Sequence, residues 1–493
     1  MKYLLGIDVG TTGTKTLLFR EDGLLLGSAY RGYPLSTPQV GWSEQNAEDW
    51  WQAIIETVRE VLSGKDIAAD VAAISLSLQG GTFVPVDEAG APLRPAIVWN
   101  DTRCEAEREA YLREVGSADS MYQKTGWSLG RAMLAMTIRW LKDHEPDTYA
   151  KTAKFLSVPD FVSLRMTGIA AADLSDLGND QLCDIRREVY DEAILKFDGV
   201  TEAQLPKIVH SGDVIGPLTE AAAEALGLTT ATVLVAGAHD QYAVSLGAGA
   251  LNHGDILIGS GTCWVVTAIG NEPDFESGLA QSVSAVPGKW GSLLSLSSGG
   301  VCLDWLRKNV AVGADGAPMD YGAINEEVAK RKAAENGLFF YPFSGLAGRK
   351  KRFSKASFVG LDLSHDRFDI ARAVMEGVAF QIVWMMVSFK AKPSEDGLKL
   401  AGGASKSPLW CQMVADIAGL PVRIPAVADL ACVGAAILAG TGSGVYSSVE
   451  EGYHRLAVAD RVLLPNPEQS AVYQPLFEQY KAHAETLGTV YGL

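Results

Sequence analysis

Strand-like apolar runs and helix-like periodic runs follow one another along this chain, which predicts layered α/β structure. The first run, YLLGIDVGTTGTKTLLFREDG from Tyr3 to Gly23, ends on Asp8, turns at Gly10 to Gly13 and resumes as a second apolar run, so it predicts a hairpin. A strand-like LLLGSAY follows. In GWSEQNAEDWWQAIIETVREVL, Ser43 or Asn46 is placed to cap a helix that turns Trp50, Ile54, Val58 and Val61 to one side. VAAISLSLQGGTFVPVD reads as a buried strand, a glycine turn and a second strand. RAMLAMTIRWLKDHEP and VPDFVSLRMTG read as helices, and ATVLVAGAHDQYAVSLGAGAL as a strand, a turn and a helix.

GDILIGSGTCWVVTAIGNEP then repeats the opening layout: apolar strand, Gly/Ser/Thr turn, apolar strand. Two such hairpins, each heading a half of about 240 residues, suggest an internal duplication. Related halves would let the two turns face one another and grip one polyphosphate; unrelated hairpins are the alternative. The opening turn has the parts of a phosphate site. Gly10 and Gly13 permit close backbone approach and unusual torsions, Thr11, Thr12 and Thr14 bring hydroxyl donors, and Lys15 brings a cation. Asp8 beside bound phosphates suits a hydrated Mg²⁺, an ion that keeps most of its waters. An edge hairpin with a polar turn would use the same residues.

Composition narrows the partners. The chain has 493 residues, long enough for about two or three domains. Its 59 acidic against 42 basic residues give a net charge of -17, which argues against nucleic acid or an anionic membrane surface as main partner. No apolar stretch reaches bilayer length and the N-terminus lacks signal-peptide features, so the expected location is cytoplasmic. The six cysteines are scattered without zinc or disulfide spacing and read as reduced thiols.

Seven motifs, in order from about Tyr3 to Gly442, resemble those of the FGGY carbohydrate kinases. They are DVGTTGTK; GWSEQNAEDWW with PAIVWNDTRC; AGAHDQ; GSGT; ASFVGLDLSHDRFDIARAVMEG; LAGGASKSPLWCQMVADIAGLPV; and ADLACVGAAILAG. The resemblance implies a two-lobed actin-like ATPase (ribonuclease H-like) α/β fold with duplicated domains and a cleft between them. The lobes would be 1–245, with the sugar site and first phosphate loop, and 246–493, the nucleotide lobe with its C-terminal helices. Within the family the chain is most similar to the xylulokinases, and it departs from them at one turn: where they carry Gln-Met-His-Gly, this chain has Gln79-Gly80-Gly81-Thr82. The family's usual lysine ahead of Trp140 is here Thr137. Asp240 and Gln241, with an aromatic at 264, are instead similar to glycerol kinases.

The roles the resemblance implies are these. Asp240 accepts the sugar hydroxyl's proton, where a helix-capping aspartate is the plain alternative. Gln79, Gly80, Gly81, Gln241 and Trp264 bind the sugar, Trp264 by stacking or else as a core residue. Gly10, Thr11, Thr12, Gly13, Thr14, Lys15, Gly261 and Thr262 hold ATP's phosphates. Gly402, Gly403, Ala404 and Lys406 take the adenosine, with Ser407 as a cap or contact. His239, Asn100 and Asp101 are placed either to face ligand or to serve structure, and the basic run Gly348 to Phe353 either draws in ATP or is a solvated loop. The implied activity is Mg²⁺- and ATP-dependent phosphorylation of a primary hydroxyl of a small open-chain sugar, a ketopentose such as D-xylulose. Alternatives are another ketose, a deoxy sugar or a polyol (ribulose, fuculose, glycerol, erythritol), and more remotely an actin-like ATPase with a non-catalytic partner-binding role. A homodimer is compatible with this reading and not required by it.

Overall fold

The computed structural model describes residues 1–130, 133–313, 316–334, 337–346, 352–427 and 429–491. The chain divides into two compact units. Met1–Leu251, Gly270–Ser292 and Asp429–Ala457 form the first; Asn252–Ile269, Leu293–Ala428 and Val458–Leu493 form the second.

The first unit is built on a six-stranded sheet in the order Val214–Pro217, Val233–His239, Val71–Leu78, Tyr3–Val9, Gly13–Arg20, Leu25–Gly32. The opening hairpin is antiparallel, and Tyr3–Val9, Val71–Leu78 and Val233–His239 run parallel side by side. Their register aligns Val9 with Leu78 and Leu78 with His239, so three strands end in one row. Residues on alternate sides of a strand meet different layers. Leu5, Ile7 and Val9 join the core beneath the helix Ala47–Leu62, together with Trp50, Ile54, Val58 and Val61. Asn46, not Ser43, caps that helix, accepting from the Glu48 amide.

Gly6 faces the opposite way, against the helix Leu430–Gly442, which returns to this unit from far along the chain. A Cβ on Gly6 would lie 1.9 Å from the Cys432 carbonyl oxygen, and one on Gly434 2.0 Å from that of Ala243. Backbone therefore meets backbone here, an approach only glycine permits. A second core in the same unit gathers Phe83, Tyr111, Leu134, Ile138, Phe155 and Phe197. It includes the helices Glu105–Glu114, Leu134–His144 and Glu192–Asp198.

Five strands of a seven-stranded sheet repeat an order seen in the first unit. Trp264–Gly270 pairs antiparallel with Ile256–Ser260; Leu398–Gly402 and Val422–Ile424 add in parallel; Arg461–Leu463 closes antiparallel. Gly13–Arg20, Tyr3–Val9, Val71–Leu78, Val233–His239 and Val214–Pro217 show the same order and directions. The duplication suggested by the two hairpins is thus present as shared topology. The long helices Arg367–Met386 and Pro467–Val490 are tied by a buried network in which Arg372 Nε meets Glu376 Oε1 at 2.7 Å and the Tyr473 hydroxyl donates to the same oxygen at 2.8 Å. Among the described residues no helix is long and apolar enough to cross a membrane. All six cysteines are free thiols, five of them buried.

One buried acid in the first unit gives a stability test. Asp160 sits in the first turn of Val158–Thr167 and accepts from the Ser157 amide and hydroxyl through Oδ2, while Oδ1 has no partner. Burial pushes its carboxyl from 3.8 up to about 7. The unfolded chain releases this proton first, so the folded state loses stability as pH rises from about 4 through about 7. Asp160→Asn keeps an acceptor for Ser157 and removes the charge. It is expected to stabilise the protein by about 2–4 kcal/mol at pH 8 and to make little difference at pH 4, read by denaturant melts at both.

Candidate active site

In the first unit the row of strand ends collects the polar groups. Asp8 is the penultimate residue of its strand, paired across the hairpin with Lys15 and in parallel with Ser77. The Ser77 hydroxyl donates to Asp8 Oδ1 at 2.7 Å. Burial, more than anything else, pushes the Asp8 carboxyl up to about 6; Asp240 and Asp429 push it the same way, and Ser77 and Lys15 pull it down. Asp240 and Asp429 are thus near enough to act on Asp8, and Lys15 is bound to Asp429 at 2.6 Å. Asp240 opens the helix Asp240–Gly247 but does not cap it, because His239 holds the cap position. Its side chain is left partly exposed at the strand edge. His239 Nδ1 lies 3.3 Å from Asp240 Oδ1 and 3.4 Å from the Gln241 amide nitrogen, so it serves one at a time: protonated it donates to the carboxylate, bare it accepts from the amide.

The opening turn is held by its own backbone and by neighbours. Gly10 N–H donates to the Gly13 carbonyl, the Tyr33 hydroxyl to the Gly10 carbonyl and the Gln45 amide to the Thr11 carbonyl. Thr12 is exposed at the tip. Thr11 turns inward, where its hydroxyl donates to Gln79 Oε1 at 2.9 Å and accepts from the Trp99 indole at 3.0 Å. Gln79 Nε2 in turn reaches Gln45 Oε1 at 3.2 Å. The phosphate-type turn and the Gln79 turn are thus one network roofed by Trp99.

Gly80 and Gly81 follow, and both are buried. A Cβ on Gly80 would lie 2.1 Å from Asp176 Oδ1, 2.7 Å from the His239 ring and 2.9 Å from Asn179 Nδ2; one on Gly81 would lie 3.0 Å from that same nitrogen. The space beside this turn is filled from other parts of the chain.

In the second unit, Ser260 joins two turns: its hydroxyl donates to the Ala401 carbonyl at 2.6 Å and accepts from the Ala404 amide at 3.1 Å. Gly402 takes φ +98°, with any Cβ held 2.9 Å from Ser260, so this position requires glycine. Gly261, Thr262, Gly402, Gly403 and Lys406 are exposed, whereas Ala404 is buried. Ser407 caps the helix Pro408–Ala418 and donates to Asn325 Oδ1. Gly300, at the start of the helix Gly300–Asn309, donates to the Gly261 carbonyl and lies so close that a Cβ would stand 2.5 Å from it.

Several expectations are corrected. Trp264 is fully buried, packed on Trp410 with ring centroids 5.0 Å apart, so its face is core and has no surface on which a sugar can stack. Thr14 is likewise fully buried on its strand. Gly10 and Gly13 take no left-handed torsion. Gly13 is instead required by close approach, since a Cβ would meet the Tyr30 hydroxyl at 2.4 Å. Asp101 is a structural residue: it accepts from the Ser43 amide and grips the Arg103 guanidinium, while Asn100 is exposed. Of the basic run, 348–351 lie outside the described residues; Arg352 donates to the Ser295 and Ser344 carbonyls.

Sequence reasoning missed Ser77, Trp99, Asp176, Asn179, Gly300 and Asp429. Asp429 had a signal, standing one residue before a helix already singled out; Asn179 had none, because nothing local marks it as a neighbour of Gly80.

The model of the N-terminal domain of the FGGY family of carbohydrate kinases matches residues 3–247, and that of its C-terminal domain residues 255–443. The chain is 30% identical to the xylulose kinase of Bacillus subtilis (strain 168), over 99% of this chain and 98% of that protein. It is 27% identical to the gluconokinase of the same organism, over 91% and 89%. Among solved structures, the xylulose kinase from Rhodospirillum rubrum is similar with a TM-score of 0.91 at 25% identity, both chains covered in full.

Proposed function

Because the chain belongs to the FGGY family of carbohydrate kinases, we propose that it is a cytoplasmic enzyme that transfers the γ-phosphate of ATP to a primary hydroxyl of a small open-chain sugar. The acceptor we assign is a ketopentose such as D-xylulose. The observation that carries this reading is the row of parallel strand ends in the first unit, where Asp8 and Asp240 stand close enough for one carboxyl to raise the other. Ligands of open α/β sheets bind at this edge.

Phosphoryl transfer asks the protein mainly to position its reactants and neutralise charge. Asp240 is assigned to receive the proton of the attacking hydroxyl as that oxygen bonds to the γ-phosphorus and the bond to the ADP oxygen breaks. His239, 3.3 Å away, steadies its carboxylate. Gln79 and Gln241 are assigned to other sugar hydroxyls. Thr11 and Thr12, with Gly261 and Thr262, are assigned to the phosphates; Thr11 does so through its backbone, since its hydroxyl is committed to Gln79. Gly402, Gly403 and Ala404 are assigned to the adenosine.

Among the described residues no cluster of three or more His, Cys, Asp or Glu side chains is arranged to hold a bare metal ion. Asp8 nevertheless fits a hydrated Mg²⁺: burial above all, and then Asp240 and Asp429, disfavour its charged form, so a nearby cation would be favoured. When bound, the ion would neutralise phosphate charge.

A coupled ADP-release screen of the purified chain with ATP, Mg²⁺ and a panel of sugars and polyols tests the reading. ADP release is expected to depend on the added acceptor, with D-xylulose among the best. ATP turnover indifferent to every acceptor would sink the proposal.

A further inference from the structure

Relatives with these folds are named for a neutral ketose and for a sugar acid, and the first unit offers a physical basis for choosing between the two. The place beside Gly80 is taken by Asp176 Oδ1, the His239 ring and Asn179 Nδ2. His239 touches this corner on one side and Asp240 on the other, so the corner adjoins the assigned base. Trp127 stands over His239, ring centroids 5.9 Å apart, and is itself fixed by its indole N–H to the Ser282 hydroxyl at 2.9 Å. Asp176 is 2% exposed, and apart from Asn179, which favours its charged form, nothing among the described residues completes its carboxyl oxygens. A buried polar group in that condition is costly unless something completes it.

We propose that Asn179 and His239, positioned by Asp176 and walled by Trp127, form the acceptor-specificity corner of this enzyme and select an uncharged polyhydroxy substrate over a sugar acid.

The charge balance supports the choice. The groups acting on Asp176 are Asp173, Asp160 and Asp240, which raise its carboxyl, and Asn179, which lowers it; Asp180 nearby is raised by Asp176, Asp160 and Asp173. Burial holds both acids well above the ordinary carboxylate range. The side chains that meet beside Gly80 are a carboxyl, an amide and an imidazole, groups that exchange hydrogen bonds with alcohol groups. An incoming carboxylate would need a cation for its desolvation to be repaid, and here it would meet carboxyls. Asn179 brings an amide donor and His239 an imidazole, both suited to uncharged oxygen. Gly80 and Gly81 are the counterpart of this arrangement: side chains there would evict the residues that now fill the space.

The inference rests on the kinase reading, and the experiment separates the two. Full-length protein is assayed for ADP release with neutral acceptors (xylulose, ribulose, erythritol, glycerol) and with acids (gluconate, gulonate). The best neutral acceptor is expected to exceed the best acid in kcat/KM by about 100-fold or more, the discrimination of a site that leaves a charge unpaired. Asn179→Ala is expected to raise KM for the neutral acceptor about tenfold, one polar contact's worth, with kcat and the KM for ATP nearly unchanged. His239→Asn, which keeps a cap for the Gln241 amide, is expected to change the ranking among neutral acceptors; it also serves as the second variant should Asn179→Ala lower the melting temperature. Acids used as well as neutral acceptors, or variants with wild-type KM and ranking, overturn the inference while leaving the kinase standing. ADP release with none of the acceptors overturns both.

Discussion

Asp240→Asn is expected to cut acceptor-dependent ADP release by about 10³-fold, within the range for loss of a positioned general base. The amide keeps the shape of the carboxyl and cannot accept the proton of the attacking hydroxyl. Because Asp240 does not cap its helix, the change leaves the helix start to His239 and is expected to leave the melting temperature near that of the wild type. Removing one of the carboxyls that press on Asp8 should even relax that site. Nucleotide affinity, measured by equilibrium titration with ADP, is expected to stay within about twofold, since Asp240 is assigned to the acceptor alone. Wild-type turnover in this variant would remove Asp240 from the mechanism. Loss of nucleotide binding together with turnover would show a structural role instead.

Gly434→Val is expected to destabilise the first unit by more than about 3 kcal/mol, as overpacking at a contact that cannot yield. The first added carbon alone would stand 2.0 Å from the Ala243 carbonyl oxygen, a backbone atom of the helix that begins with Asp240. That helix cannot retreat freely: a Cβ on its own Gly247 would lie 2.0 Å from the Leu430 carbonyl oxygen, so the two helices meet through glycines on both sides. The same return helix touches Gly6 of the central strand. The measurement is a denaturant melt of purified protein beside Gly419→Ala, whose Cβ would meet nothing within 4 Å although its φ of +66° makes it a modest loss of about 1 kcal/mol. Equal melting midpoints for the two variants would refute the close-packing account. Activity should fall with the folded fraction in Gly434→Val, unlike Asp240→Asn, where the fold survives and turnover does not.

Asp8, the turn after it and the strand on either side were legible because each depends on neighbours in sequence: apolar runs form the strands, and Gly10 to Gly13 breaks them. The second hairpin was legible for the same reason, and its shared sheet order with the first follows from a repeated pattern. Asp240 was legible as a strand-end acid, and the capping alternative was not decidable locally; the structure gives that position to His239. Trp264 was left open between stacking on a sugar and the core because a strand alternates its faces, and the sequence does not say which face meets Trp410. Asp429 and Asn179 escaped because their importance lies in what they approach, Lys15 in one case and Gly80 in the other.

By itself, then, the sequence determined the periodic elements, the two glycine turns, the acids beside the strand ends and the family resemblance those motifs carry, because each is written within a few dozen consecutive residues. The tertiary structure decided which of them share an edge. It brought the helix Leu430–Gly442 back onto Gly6, placed Val9, Leu78 and His239 in one row, and filled the corner at Gly80 with Asp176 and Asn179. Those choices belong to the path of the chain through space, where contact is set by register, strand parity and how closely two backbones can approach.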